Sequence, residues 1–475
     1  MTRSLRRVLA IAIGSITVLA AAPIFTAVGA SAAQEGEGEG DLGGLAGINH
    51  LVVIYDENRS FDNLYGSFPG ANGISNASAT STRQVTLTGT PYTTLPQATG
   101  SPIPLNLPNR PFDITKYVPA DQKTRDLVHR YYQEQVQIDG GKMDKFVAVS
   151  DAAGLAVGYY PTANLPIAKE AAKYVLADKF FHAAFGGSFL NHQWLVCACT
   201  PVYAGAVKDG SSNDLHTVLG ADGLPIKGKD GQLTTVAAGD YAVNTIFPAS
   251  APTISGAAQL PLLTNKTIGD ELSEEDVSWA WYSGGWNAAN SPAGAPNLFQ
   301  FHHQPFNYYS NYAPGMPGRA HLKDETDFIA AAKAGTLPAV SFVKPIGADN
   351  EHPGYTDLIT GERHLMALID DVRNGPNWKD TAIVITYDEH GGFWDHVAPP
   401  TSRKHSDIWG PGSRVPTIII SPLAKQHFVD HTLYDTTSIL ATIEHRWDLE
   451  PLGTRDAHAR DLRNAFTRRD ENGND

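Results

Sequence analysis

The stretch Leu51–Gly66 reads LVVIYDENRSFDNLYG. Leu51–Tyr55 is apolar at consecutive positions, and it breaks at once into Asp56, Glu57, Asn58 and Arg59. Consecutive rather than alternating apolar residues mark a strand buried on both faces. Similar runs recur at Val277–Tyr282, Ala339–Val343, Ala382–Tyr387 and Val415–Ile420. Helical patterns cover Ala120–Gln135, Asn164–Ala177, Glu325–Ala334, Glu362–Val372 and Thr436–Trp447. Strands alternating with helices predict an α/β fold: a mostly parallel central sheet with helices on both faces. Two stretches break the rhythm, Asn72–Pro111 and Val207–Leu263, and predict surface insertions near 72–111 and 207–263, placed to cap a site.

Ligands of open α/β sheets bind beyond the carboxyl ends of the strands. The polar residues just after each run are therefore the ones to collect. They are Asp56, Glu57 and Asn58; Asp388, Glu389 and His390, with Asp395 and His396; Asp349, Asn350, Glu351 and His352; and, further along, His302 and His303. Each set alone has an ordinary explanation as a helix cap or a surface pair. Recurrence at four strand ends argues for one shared pocket. Clustered carboxylates repel unless a cation joins them, and oxygen donors suit hard or borderline divalent ions. The nucleophile candidate is Ser188 in FFHAAFGGSFLNHQWL, where Gly186 and Gly187 permit a tight turn into a helix. That helix start favours phosphate, although a plain N-cap serine fits the same residues. The surroundings are not the Gly-x-Ser-x-Gly elbow of serine hydrolases.

The 475 residues are 42% hydrophobic and carry a formal charge of −14, which argues against sequence-independent nucleic-acid binding. Arg3, Arg6 and Arg7 precede an apolar run, Val8–Val28, and Ala30-Ser31-Ala32. This predicts a signal peptide over 1–33, with an uncleaved anchor as the alternative, and no stable membrane insertion after cleavage. A Gly/Glu-rich tract over 34–47 predicts a flexible tether, with order from Ile48 through a single domain spanning 48–466 and a polar tail over 467–475. Cys197 and Cys199 are expected to be two reduced, buried thiols.

Several motifs resemble one family together: HLVVIYDENRSFDNLYGSFPG (50–70), YDEHGGFWDHVAPP (387–400), WGPGSRVPTIIISP (409–422) and YDTTSILATIEHRW (434–447). They resemble the phosphoesterases that include bacterial phosphatidylcholine-type phospholipases C and acid phosphatases. FGGSFLNHQ (185–193) and FHHQPFNYY (301–309) are more similar to the acid-phosphatase branch. The resemblance implies an alkaline-phosphatase-like fold and one divalent metal ion held by Glu57, Asn58, Asp388 and Glu389. It implies Ser188 as a nucleophile forming a phosphoserine, with Asn191, His129, His302, His303 and His352 around the phosphate of a small phosphorylated substrate. Imidazoles of ordinary pKa would be cationic below about pH 6.5, which suits an acidic optimum. A phospholipase C would need a choline-accepting rim, for which WAWYSGGW (279–286) offers aromatics unless these are core. A non-catalytic binding module is the third reading.

Overall fold

The computed structural model describes residues 42–203, 216–217, 241–251, 258–292 and 294–467. The expected leader, most of the tether, much of the second insertion and the tail beyond Thr467 lie outside these residues. Among the described residues, no helix is long and apolar enough to cross a membrane.

The strands of the main sheet are β1 (His50–Asp56), β2 (Val175–Ala177), β3 (Trp279–Ser283), β4 (Leu322–Asp324), β5 (Val340–Lys344), β6 (Thr381–Tyr387), β7 (Thr417–Ile420) and β8 (Phe428–Asp430). Their order is β4-β3-β5-β1-β6-β7-β2-β8, and only β7 runs against the others. Every residue of β3, β5, β6 and β7 is buried, and β1 is buried after His50. Successive residues point to opposite faces, so the sheet is covered on both, as expected for an α/β fold. Helices that bear on the site or the sheet are α1 (Phe61–Tyr65), α2 (Tyr131–Ile138), α3 (Ala168–Lys173), α4 (Ser188–Cys197), α5 (Glu325–Ala334), α6 (Leu358–Arg373) and α7 (Thr437–Trp447).

The register is what gathers the polar strand ends. Asp56 pairs with Tyr387 across β1 and β6, so Glu57 and Asp388 leave the sheet side by side. On the other side of β1, Ile54 pairs with Val343, which brings Lys344 to the same edge.

Several expectations are corrected. The helix expected over Ala120–Gln135 is confined to Tyr131–Ile138, so His129 precedes the helix instead of riding on it. The helix expected over Asn164–Ala177 ends at Lys173, and Val175–Ala177 is a strand wedged between β7 and β8. Three apolar residues do not distinguish a strand from a helix by periodicity. Pairing of β7 starts at Thr417, after Pro416, which lacks an N–H for the ladder. Order begins before Ile48: Gly43–Gly47 forms a 3₁₀ turn whose Leu45 is fully buried.

Cys197 and Cys199 form a disulfide rather than standing as two thiols. Cys197 ends α4, and Ala198 adopts a left-handed conformation (φ 47°) that folds Cys199 back, with the Cα atoms 5.1 Å apart. That separation lies inside the range a disulfide spans. The 72–111 stretch is tied to the body by buried groups: Leu95 is in the core, and Gln84 donates to the Met143 carbonyl at 3.0 Å.

Candidate active site

Ser188 is the first residue of α4, and Gly186 and Gly187 deliver it there. Gly186 has φ +92°, and a Cβ at this position would sit 2.4 Å from the Tyr131 amide nitrogen. Only glycine lets the turn pass this close to the start of α2. Asn191, on the same helix, closes the turn. Its Oδ1 accepts from Ala184 N at 2.9 Å, and its Nδ2 donates to the carbonyls of Ala184 (3.0 Å) and Gly187 (3.2 Å).

The Ser188 hydroxyl lies 3.4 Å from both Glu57 Oε2 and Asn58 Oδ1. Asn58 takes a left-handed conformation (φ 57°), tolerable for asparagine, and its amide N–H donates to Asp388 Oδ1 at 3.1 Å. Asp388 Oδ1 also accepts from Glu389 N at 2.8 Å, and Glu389 Oε2 accepts from Gly391 N at 2.6 Å. The remaining oxygens, Asp388 Oδ2 and Glu389 Oε1, are buried without a hydrogen-bond partner among the described residues.

Charge is unevenly shared among these acids. Burial would raise the Glu57 pKa, but Lys344 Nζ at 2.6 Å and His303 Nε2 at 2.7 Å, both on Oε1, hold it well below the usual carboxylate range. Burial, reinforced by the Glu57 charge, pushes Asp388 up to about 7. Burial and the Asp388 charge push Glu389 well above its ordinary value. An ionised Glu57 beside two acids that resist ionisation is a donor set short of positive charge. Glu57, Asn58, Asp388 and Glu389 are all hard oxygen donors, and with the two unpartnered oxygens they fit a divalent cation.

Imidazoles surround this core. His129 Nδ1 donates to the Leu127 carbonyl, which leaves Nε2 facing Asn58 Nδ2 at 3.2 Å and lying 3.7 Å from Glu389 Oε1. His352 is anchored through Nδ1 to the Pro353 carbonyl (2.7 Å), its ring stacks on Tyr355, and its Nε2 is 3.9 Å from Glu57 Oε2. His302 packs edge-on against His303. A cavity of about 480 Å³ opens over Ser188 and His129, with Asp126, Gln133, Asp151 and Asn244 in its wall.

The phosphoesterase family model matches residues 48–450. The chain belongs to the phosphoesterase family. It is similar to Phospholipase C A of Mycobacterium tuberculosis, at 27% identity over 89% of this chain and 78% of that protein. It is similar to a non-hemolytic phospholipase C of Pseudomonas aeruginosa, at 23% identity over 86% of this chain and 55% of that protein. It also matches non-specific phospholipase C1 of Arabidopsis thaliana, at 32% identity over 43% of this chain and 40% of that protein. Among solved structures it is similar to a Vibrio parahaemolyticus protein in the alkaline phosphatase superfamily, at 11% identity, 74% coverage of each chain and a TM-score of 0.34. The fold assignment rests on the sheet topology.

This phosphoesterase brings Glu57, Asn58, Asp388, Glu389, Ser188, His129, His303 and His352 to one site, with His302 against His303. Asn191 is the exception. Its amide is spent on the backbone of the 184–187 turn, so its expected place beside the phosphate is corrected to a place behind Ser188. The expected imidazole charge is corrected too. Burial holds His302 well below its ordinary pKa, lowers His303, and takes His352 down to about 3.

Two residues escape the sequence reading. Lys344 follows an apolar run and looks like a solvated strand end, yet it is fully buried against Glu57. His192 lies one turn along α4 from Ser188, donates from Nδ1 to the Ser188 carbonyl at 2.7 Å and stacks on His303. Its i, i+4 spacing from Ser188 was the available signal.

Proposed function

We propose that this phosphoesterase hydrolyses phosphate monoesters through a phosphoserine on Ser188, with one divalent cation held by Glu57, Asn58, Asp388 and Glu389. The observation that carries the proposal is the Ser188 hydroxyl, 3.4 Å from two of the four oxygen donors and open to the cavity. A divalent cation bound there would favour the deprotonated hydroxyl and neutralise phosphate charge.

The chain's own groups do the rest. Lys344 and His303 occupy Glu57 Oε1, which keeps Glu57 ionised and leaves Oε2 toward Ser188. The N-terminal N–H groups of α4 attract the phosphate oxygens. Ser188 Oγ bonds to phosphorus as the ester P–O bond breaks, and His129 is the imidazole positioned to move a proton to the leaving oxygen. Water then cleaves the phosphoserine and regenerates the hydroxyl.

Two observations favour a small polar monoester. The cavity wall carries Asp126, Arg130, Gln133, Asp151 and Asn244, with Leu127 and Val128 as its apolar side chains. The aromatics at 279–286 are core: Trp279, Trp281 and Trp286 are all buried, and Trp281 donates to the His303 carbonyl. Phospholipase C is the second reading, favoured by the names of the curated relatives. Initial rates on p-nitrophenyl phosphate and p-nitrophenylphosphorylcholine separate the two, and faster cleavage of the choline diester reverses our preference. The buried neutral imidazoles do not themselves demand an acidic optimum, so the pH profile is part of the same experiment. Export through the N-terminal leader belongs to this reading, and a mature protein whose N-terminal sequence begins near residue 34 supports it.

A further inference from the structure

Glu134 lies on α2 and is fully buried, yet it sits outside the phosphate-facing set. A buried carboxylate needs several partners, because each unsatisfied oxygen is costly. Its partners come from different segments of the chain. Oε2 accepts from Gly186 N at 2.6 Å, inside the turn that presents Ser188. Oε1 accepts from Ser413 N at 2.8 Å and from Ser413 Oγ at 3.0 Å. His182 Nε2 lies 2.9 Å from the same oxygen, and its Nδ1 is 2.8 Å from the Ala184 carbonyl. His390, which directly follows Asp388 and Glu389, places Nδ1 3.6 Å from Glu134 Oε1 and 3.4 Å from Glu389 Oε2. Its Nε2 faces Gln137 Oε1 at 3.2 Å, and its ring stacks parallel to His182. Glu134 also shares a short helix with Tyr131, whose amide nitrogen seats Gly186, two residues after His129.

We infer that Glu134 is a positioning residue that fixes the Gly186–Ser188 turn against the Asp388–Glu389–His390 loop, and so sets the distance from Ser188 Oγ to the metal-ligand oxygens. The inference rests on the reading of Ser188 as the nucleophile. The same three partners, a carboxylate and two imidazoles, could instead gather a second ion. Against that, Glu134 Oε1 is already occupied by two Ser413 donors and His182. Misplacement of a reacting group by about 1 Å costs roughly a hundredfold in rate, so a hub of this kind acts mainly on turnover.

The test uses the full mature enzyme with p-nitrophenyl phosphate, beside Ser188→Ala. Glu134→Gln keeps the size but sets an NH2 against a donor whichever way it turns, either Gly186 N or Ser413 N and His182. We expect kcat per folded molecule, normalised by circular dichroism and burst amplitude, to fall roughly thirtyfold or more, with KM within about threefold and metal content unchanged. His182→Gln removes one partner and leaves the Gly186 bond, so it should lose about three- to tenfold and remain folded if Glu134→Gln does not. An inactive Ser188→Ala together with Glu134→Gln and His182→Gln variants of near wild-type kcat overturns this inference alone. An active Ser188→Ala overturns the nucleophile reading and this inference with it. Loss of one of two metal equivalents in Glu134→Gln makes the cluster a metal site and likewise overturns the positioning role.

Discussion

Two clusters of buried acids grow from the same two motifs and differ in charge balance. Asp62 and Asp395 meet Arg414 and His396. Arg414 Nε donates to Asp395 Oδ1 at 2.8 Å, and Arg414 Nη2 reaches Asp395 Oδ2 at 3.1 Å and Asp62 Oδ1 at 3.4 Å. Asp62 Oδ2 takes His396 N at 2.8 Å and His396 Nδ1 at 2.6 Å. Backbone amides of Val397 and Asp62 complete Asp395. Five residues before Asp62, and seven and six before Asp395, Glu57, Asp388 and Glu389 share Lys344 as their one fully buried ammonium, and two carboxylate oxygens are left without a hydrogen-bond partner among the described residues. The saturated cluster is a clamp between the two motifs. The unsaturated one has the donor set that the proposed cation would complete. Acid content alone does not distinguish them; hydrogen-bond completion does.

The comparison can be broken most strongly by removing the metal. Chelation followed by desalting should reduce turnover roughly a thousandfold, with recovery on adding a divalent cation, because a bound ion contributes several kcal/mol to such transition states. Full activity after verified depletion would place the unsaturated cluster in the structural class.

Next in size is Arg414→Met. It strands two buried carboxylates and should cost about 3–5 kcal/mol of stability in denaturant unfolding. A loss below about 1 kcal/mol would mean that the clamp is not what holds the motifs together. Asp388→Asn should behave in the opposite way: in metal-free protein it removes a carboxyl that burial already disfavours, so stability should stay within about 1 kcal/mol or rise. A drop as large as that of Arg414→Met would erase the distinction between the clusters.

The smallest effect concerns His396. Burial would lower its pKa, but the hydrogen bond and charge of Asp62 raise it above the ordinary value. A raised folded pKa contributes stability that is complete below about pH 6.5 and fades as pH rises through the folded value. Wild type should therefore lose a little stability on the mildly alkaline side, and His396→Asn should flatten that limb. An unchanged slope in the variant would remove His396 from the clamp's electrostatics.

Much of this was legible in the chain. Unbroken apolar runs ending in Asp56-Glu57-Asn58 and Asp388-Glu389 gave both the covered sheet and the acids beyond its edge, because a strand buried on both faces leaves no room for polar residues until it ends. Lys344 was not legible, since a lysine after an apolar run reads as solvated until the register sets it against Glu57. The place of Asn191 is not legible, because its distance from Ser188 in sequence does not say whether its amide faces the cavity or the turn. His129 was placed on a helix that starts only at Tyr131, because the path of residues 120–130 is set by tertiary packing rather than by periodicity. Glu134 reads as one of the polar residues of α2, as its three partner segments, around 182–186, 390 and 413, come together only in the fold.

The central claim is that the unsaturated cluster holds the cation. The most direct measurement is the metal content of purified wild type and Asp388→Asn by mass spectrometry, after dialysis against metal-free buffer and reloading. The account predicts one divalent equivalent in wild type and less than a tenth of that in the variant. Equal metal content in the two proteins would contradict it.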